Sequence, residues 1–225
     1  FYFGPDKKDD MQKRISTSFD KFFDVKLKSE KEIAQLSRDH NIDIAVDLMA
    51  FTRHHRFGIF VERCAPIQVN FLGYPGTTGA DCIDYIIADK FLIPKESQKY
   101  YSEKIVYMPN TYQPNDSKRE ISDKVFTREE LGLPKDGFVF CCFNKNYKIT
   151  PNVFDIWMKI LKRVKDSVIC IFLEDFNPIA KKNLKEEAKR RNIDSNRIIF
   201  IKGIPLSEHL ARHKAFDLFI DTFPY

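Results

Sequence analysis

Short, nearly unbroken apolar runs recur along the chain, and the stretches between them carry apolar residues at helical intervals. In the first half the runs cover 42–49, 67–72, 85–88 and 105–108. The first is interrupted only by Asp43 and Asp47, which predicts a strand buried on both faces of a parallel sheet. In the second half the runs cover 138–143, 168–173, 198–202 and 217–220, with helical patterns between them. Ser29-Glu30-Lys31-Glu32, with Ile33 and Leu36 behind it, is a capping box that starts a helix at Ser29. Thr127-Arg128-Glu129-Glu130 repeats that pattern, and Thr150 before Pro151 predicts a helix over 151–164. Strict alternation of strand and helix means parallel strands joined by right-handed crossovers, so each half reads as a doubly wound α/β domain.

The polar stretch 113–124 divides the two halves. The expected organisation is a domain over 1–115, a linker over 116–124 and a second domain over 125–225. Phe1-Tyr2-Phe3-Gly4-Pro5 resembles the end of a buried strand, and Leu218-Phe219-Ile220-Asp221 stops just after one. Both domains are therefore expected to be incomplete.

Hydrophobic residues make up 43% and charged residues 31% of the 225, which excludes disordered and collagen-like classes. The net charge of +5 does not indicate nucleic acid, because Lys and Arg alternate with acids, as Glu186 and Glu187 do within 181–191. That segment is expected to be a solvated helix face. Five cysteines, with no C-x-x-C spacing, fit a reducing cytoplasm better than a disulfide framework. No apolar run reaches the roughly 20 residues of a membrane span, so neither a membrane nor nucleic acid is an expected partner.

Ligands of open parallel sheets bind beyond the carboxyl ends of the strands, which directs attention to four loops. Gly73-Tyr74-Pro75-Gly76-Thr77-Thr78-Gly79 follows a strand; it is either a loop that lets backbone approach a ligand or a tight turn. It matches neither the dinucleotide fingerprint nor the Walker A motif. Asn144-Lys145-Asn146-Tyr147-Lys148 precedes the helix at Pro151. A helix N-terminus attracts anions, and Lys148 would add a full charge beside it, as a diphosphate requires; an exposed loop lysine is the alternative. In 205–212, His209 and Arg212 share a helix face and either hold a phosphate or nucleoside or belong to an ordinary polar face. Arg53-His54-His55-Arg56 lacks an evident third metal ligand, and no D-x-D clamp of metal-dependent nucleotide-sugar enzymes is present.

Longer strings carry a family resemblance. Residues 65–77, Ala-Pro-Ile-Gln-Val-Asn-Phe-Leu-Gly-Tyr-Pro-Gly-Thr, and 84–89, Asp-Tyr-Ile-Ile-Ala-Asp, resemble the catalytic region of protein O-GlcNAc transferases and their bacterial relatives. The likeness continues through 101–104, 108–116, Phe143-Asn144, Tyr147-Lys148-Ile149, 197–200 and Asp221-Thr222, nearly the whole chain.

The resemblance implies a GT-B-like α/β fold, with UDP-GlcNAc held between two Rossmann-like domains. It also implies inverting, metal-independent transfer of GlcNAc to a protein Ser or Thr hydroxyl, with no cofactor. Lys148 would neutralise the departing diphosphate and Tyr147 would line the same site. Asn144, Lys145, Ile204, His209 and Arg212 would surround the nucleotide. Arg53, Arg56, Gly73, Tyr74, Pro75 and Thr77 would face the sugar and acceptor. Lys145, Phe51, Cys64 and His54-His55 depart from residues usual in the family. The family's active-site histidines would precede Phe1 and its Asn-Gly-His-Thr-Thr loop would follow Tyr225, so this span alone is expected to be inactive. Its TPR repeats, of roughly 34 residues each, are not visible here. A relative using another donor such as GDP-fucose, and a non-catalytic binding module, are the competing readings.

Overall fold

A computed structural model describes residues 1–5, 8–173 and 177–223. The chain forms two compact units, Phe1–Asn115 and Asp116–Tyr225. The first contains α1 (Asp10–Thr17), α2 (Glu30–Asp39), β1 (Ile44–Asp47), α3 (Gly58–Val61), β2 (Ile67–Asn70), β3 (Tyr85–Ala88) and β4 (Lys104–Tyr107). The second contains β5 (Val139–Cys142), α4 (Pro151–Arg163), β6 (Val168–Phe172), α5 (Pro178–Arg190), β7 (Ile198–Ile201), α6 (Leu206–Ala211) and β8 (Leu218–Phe219). Among the described residues no helix is long and apolar enough to cross a membrane.

The first sheet is parallel throughout, in the order β1-β2-β3-β4. Each step moves the same way, so right-handed crossovers place every connection on one face. That face is packed: Val25, Ile33, Ala34, Ile59, Phe60, Cys64 and Ile83 form one cluster, and Ile86, Ala88 and Ile93 another. On the opposite face Ile44 and Val46 remain 55% and 45% exposed. The expectation that 42–49 is buried on both faces is thus corrected. β1 lies at the sheet edge, and consecutive strand order covers one face only.

The second sheet has the order β7-β6-β5-β8, again parallel. The chain steps outward from β5 to β7 and then returns to the other side of β5. Crossovers in opposite directions lie on opposite faces. One face packs Phe140, Cys142, Ile169, Ile171 and Ile198 under Phe154, Trp157, Met158 and Leu161 of α4. The other packs Val139, Cys141, Val168, Cys170 and Ile201 against Leu133 and Ala215.

The capping signals resolve differently. Ser29 and Glu32 form the reciprocal box, and Thr150 caps α4 at Val153 with Pro151 in its first turn. Thr127 and Glu130 also exchange hydrogen bonds, yet only one turn forms, because Gly132 and Pro134 follow within a turn. Residues 116–124 have no regular structure, and Ser122 N donates to the Ser207 carbonyl at 3.1 Å within the second unit.

Candidate functional site

The return from β7 to β8 makes a topological switch point beside β5, the place where open α/β sheets bind ligands beyond the carboxyl ends of their strands. Three loops of the second unit emerge there. After β5, Asn144 Nδ2 donates to Asp221 Oδ1 at 2.5 Å and to Thr222 Oγ1 at 2.8 Å, tying this loop to the one after β8. Residues Asn146–Lys148 then form a 3₁₀ turn that leads through Thr150 into α4. Lys148 is half-buried in that turn, Lys145 is exposed and Tyr147 is 72% exposed. The after-β7 loop carries half-buried Ile204.

Phe143 joins the first loop to the third. Its ring meets His209 edge-on at 5.1 Å and His213 at 5.0 Å. Arg212 lies beneath, 1% exposed, and binds the Lys202 carbonyl and the His209 ring. Burial first, then the Arg212 charge and His213, push His209 down to about 4. The structure therefore brings Asn144, His209 and Arg212 to one sheet edge, adjoined by the Lys148 turn, with Arg212 interior to the cluster.

In the first unit, the 73–79 loop is held from two sides. Asn70 Nδ2 donates to the carbonyls of Tyr74 at 3.0 Å and Gly76 at 3.3 Å. Glu103, 4% exposed, accepts from Thr77 Oγ1 at 2.7 Å, Thr78 N at 2.6 Å and Thr78 Oγ1. Tyr101 adds a bond to the Pro75 carbonyl. Leu72 has φ 74°, and Ala50 and His54 in the loop after β1 have φ 41° and 63°. Non-glycine residues in left-handed backbone cost roughly 1–2 kcal/mol each, and such strain gathers at ligand-binding loops. Tyr74 packs on Phe51, and Arg53 is exposed. Arg56 does not join this loop: it donates to the carbonyls of Val25 at 3.2 Å and Lys28 at 2.5 Å.

Glu103, Asn70, Asp221 and Thr222 were not singled out as site residues by the sequence patterns. The available signal was a polar residue closing an apolar strand, as Asn70 and Asp221 do. Burial opposes ionisation of Glu103, but the hydrogen bonds from Thr78 and Thr77 outweigh it and hold the carboxyl below its usual range. A depressed folded pKa gives stability above the unfolded value, about 4.3, that is lost as pH falls through the folded value. Glu103→Gln should thus cost roughly 2 kcal/mol at pH 7, with the difference shrinking toward pH 3. Denaturant midpoints measured across that range check this, and a pH-independent difference would refute it.

All five cysteines are free thiols, and burial raises Cys141 and Cys170 to about 12, which makes them packing groups rather than nucleophiles. Among the described residues no group of three His, Cys, Asp or Glu could hold a metal.

Two Rossmann-like parallel sheets, with a switch-point loop cluster in one, define a GT-B-like glycosyltransferase fold. The chain superposes on a mutant of Thermobaculum terrenum O-GlcNAc transferase with a TM-score of 0.83 at 28% identity, over 97% of this chain and 41% of that one. A Rickettsia africae glycosyltransferase shares the fold at a TM-score of 0.53 and 12% identity, over 97% of this chain and 58% of that one. Residues 1–123 and 113–224 match the model of glycosyl transferase family 41, and the chain belongs to that family. It is 36% identical over 216 residues to an Arabidopsis thaliana protein described as probable UDP-N-acetylglucosamine–peptide N-acetylglucosaminyltransferase SEC, covering 94% of this chain and 22% of that protein. A SPINDLY protein of Oryza sativa subsp. japonica, described as a probable enzyme of the same activity, is 33% identical over 200 residues, 87% of this chain and 21% of that protein. The chain thus spans about a fifth of the length of these curated relatives.

Proposed function

We propose that the protein containing this chain transfers GlcNAc from UDP-GlcNAc to Ser or Thr hydroxyls of proteins, with inversion and without a metal. The observation that carries this reading is the switch-point loop of the second unit, in which the Lys148 turn runs directly into the capped N-terminus of α4. Family membership and the named activities of the relatives support it.

In the reaction, the acceptor oxygen attacks the anomeric carbon as the bond to the diphosphate breaks. The bonding electron pair leaves with UDP, and the hydroxyl proton passes to a base that we assign to no residue of this chain. Negative charge builds on the leaving diphosphate, where a preplaced ammonium and the free N–H groups of a helix end stabilise it most. Lys148 supplies the ammonium and the α4 end its dipole, since Pro151 carries no N–H and Val153 N is already bonded to Thr150. Tyr147, Asn144, Lys145, Ile204 and His209 line the nucleotide side. Gly73, Tyr74, Pro75, Thr77 and Arg53 serve the sugar and acceptor. Arg56 supports the first unit's fold at Val25 and Lys28.

Calorimetric titration of UDP and GDP into the full-length protein tests the assignment. UDP should bind more tightly, and Lys148→Ala should weaken it about tenfold, as expected for loss of a charge-assisted contact. Preference for GDP would instead indicate a donor such as GDP-fucose, and binding of neither would indicate a non-catalytic module. EDTA should leave transfer unchanged.

A further inference from the structure

The Arg212 guanidinium is buried inside the second unit, with both terminal nitrogens bonded there. Nη1 donates to the Lys202 carbonyl oxygen at 2.8 Å, and Nη2 lies 2.6 Å from His209 Nδ1. Its carbon sits 5.4 Å from the centre of the Phe143 ring, and Nε is buried with no hydrogen-bond partner among the described residues. A guanidinium offers only donors, so His209 Nδ1 must accept. The neutral imidazole then carries its proton on Nε2. Phe143 and His213, edge-on at 5.1 and 4.8 Å, restrict the ring's rotation. His213 Nδ1 is 2.7 Å from the His209 carbonyl and must donate there, fixing the turn that follows α6.

We infer that Arg212 is a positioning residue: it holds His209 as the Nε2–H tautomer, so that the site presents an uncharged donor to an uncharged acceptor oxygen of the nucleoside. This deepens the nucleotide-sugar reading and rests on it. Arg212 therefore acts through His209 and not by touching phosphate.

The charges around the ring agree with a neutral donor. Arg212 and His213 face it from its own helix and the following turn, and both oppose a second positive charge. On β6, the Cys170 thiol near Arg212 is kept neutral by burial. Glu208, beside His209 in sequence, is turned to Lys124 at 3.4 Å and does not compensate the ring. A group lowered to about 4 is uncharged from pH 5.5 to 8. Contact through His209 is consequently independent of pH over that range. An imidazolium bound to phosphate would instead tighten as pH falls through about 6.5.

The test uses the full-length protein labelled with ¹⁵N-histidine, read by two-bond ¹H–¹⁵N correlation, together with calorimetry of UDP-GlcNAc, whose diphosphate does not titrate in this range. Wild-type His209 should show a bare Nδ1 and a protonated Nε2 before any ligand is added. The Nε2–H resonance should then move on UDP-GlcNAc binding, with affinity flat within about twofold from pH 5.5 to 8. Arg212→Met should give a tautomer mixture titrating toward about 6.5 and weaken UDP-GlcNAc about fivefold. Arg212→Lys, which can still donate to Nδ1, should preserve the tautomer. A wild-type proton on Nδ1, or affinity rising severalfold toward pH 5.5, overturns the inference without recourse to any variant. If UDP-GlcNAc binds while Nε2 is unmoved, the inference fails and the nucleotide-sugar reading stands. If it does not bind at all, both fail.

Discussion

Replacement of Lys148 by Met is expected to leave the protein folded and reduce transfer by about 10²–10³-fold, the range typical for removing one preplaced group that stabilises transition-state charge. Lys148 belongs to neither packed cluster of the second unit and sits in a short turn ahead of the α4 cap. Met fills similar volume, so the turn and the Thr150 bond to Val153 should persist. The ammonium matters most once the bond to the sugar is breaking, because the diphosphate gains charge then. Ground-state binding of UDP-GlcNAc should therefore weaken far less than turnover. Steady-state rates, nucleotide affinity and melting temperature, measured together, separate these effects. A turnover within threefold of wild type would remove Lys148 from the chemistry, and an equally large loss of thermal stability would make it a structural residue.

The strands were legible because a parallel strand is a short apolar run, and 85–88 matches β3 residue for residue while the others differ only at their ends. The α4 start was legible because Thr150 and Pro151 are local signals. What periodicity could not convey was which face of β1 is covered, since that depends on the order in which strands assemble. Nor could it tell that Arg212 and Arg56, both read as ligand-facing, donate within their own units, Arg56 to two backbone carbonyls and Arg212 to one carbonyl and the His209 ring. Lys202 accepts from Arg212, whereas Val25 and Lys28, some 30 residues before Arg56, accept from it. Glu103 was hidden for the same reason: it lies 25 residues from Thr78, and folding alone brings them together. The loops themselves were found from the rule that ligands sit past strand ends. The side chains that hold those loops required the tertiary structure.

Gly73→Ala is expected to produce the largest stability loss of any single methyl added to the first unit's candidate loop. A Cβ at residue 73 would lie 2.2 Å from the Leu48 carbonyl oxygen, 3.1 Å from its carbon and 3.2 Å from Met49 Cα. All three are backbone atoms, so no side-chain rotation relieves the clash. The opposing segment cannot withdraw cheaply, because Asp47 Oδ1 accepts from both Met49 N at 2.9 Å and Ala50 N at 3.0 Å. Moving residue 73 instead would disturb Leu72, already at φ 74°, and the carbonyls of Tyr74 and Gly76 held by Asn70. Overpacking of this kind costs about 1–3 kcal/mol. For a unit of this size that corresponds to a fall in its melting temperature of about 4–12 °C. Gly79→Ala is the internal control. Residue 79 has φ 63° but open space around the added carbon, so its cost is conformational alone, about 1 kcal/mol. The two variants should also differ at the site: Gly73→Ala displaces the loop from its Asn70 and Glu103 anchors and abolishes most transfer, whereas Gly79→Ala keeps both anchors and most activity. Thermal melts and transfer rates for the pair decide the matter. If Gly73→Ala melts no lower than Gly79→Ala, the close approach of the two loops is not what positions residues 73–79.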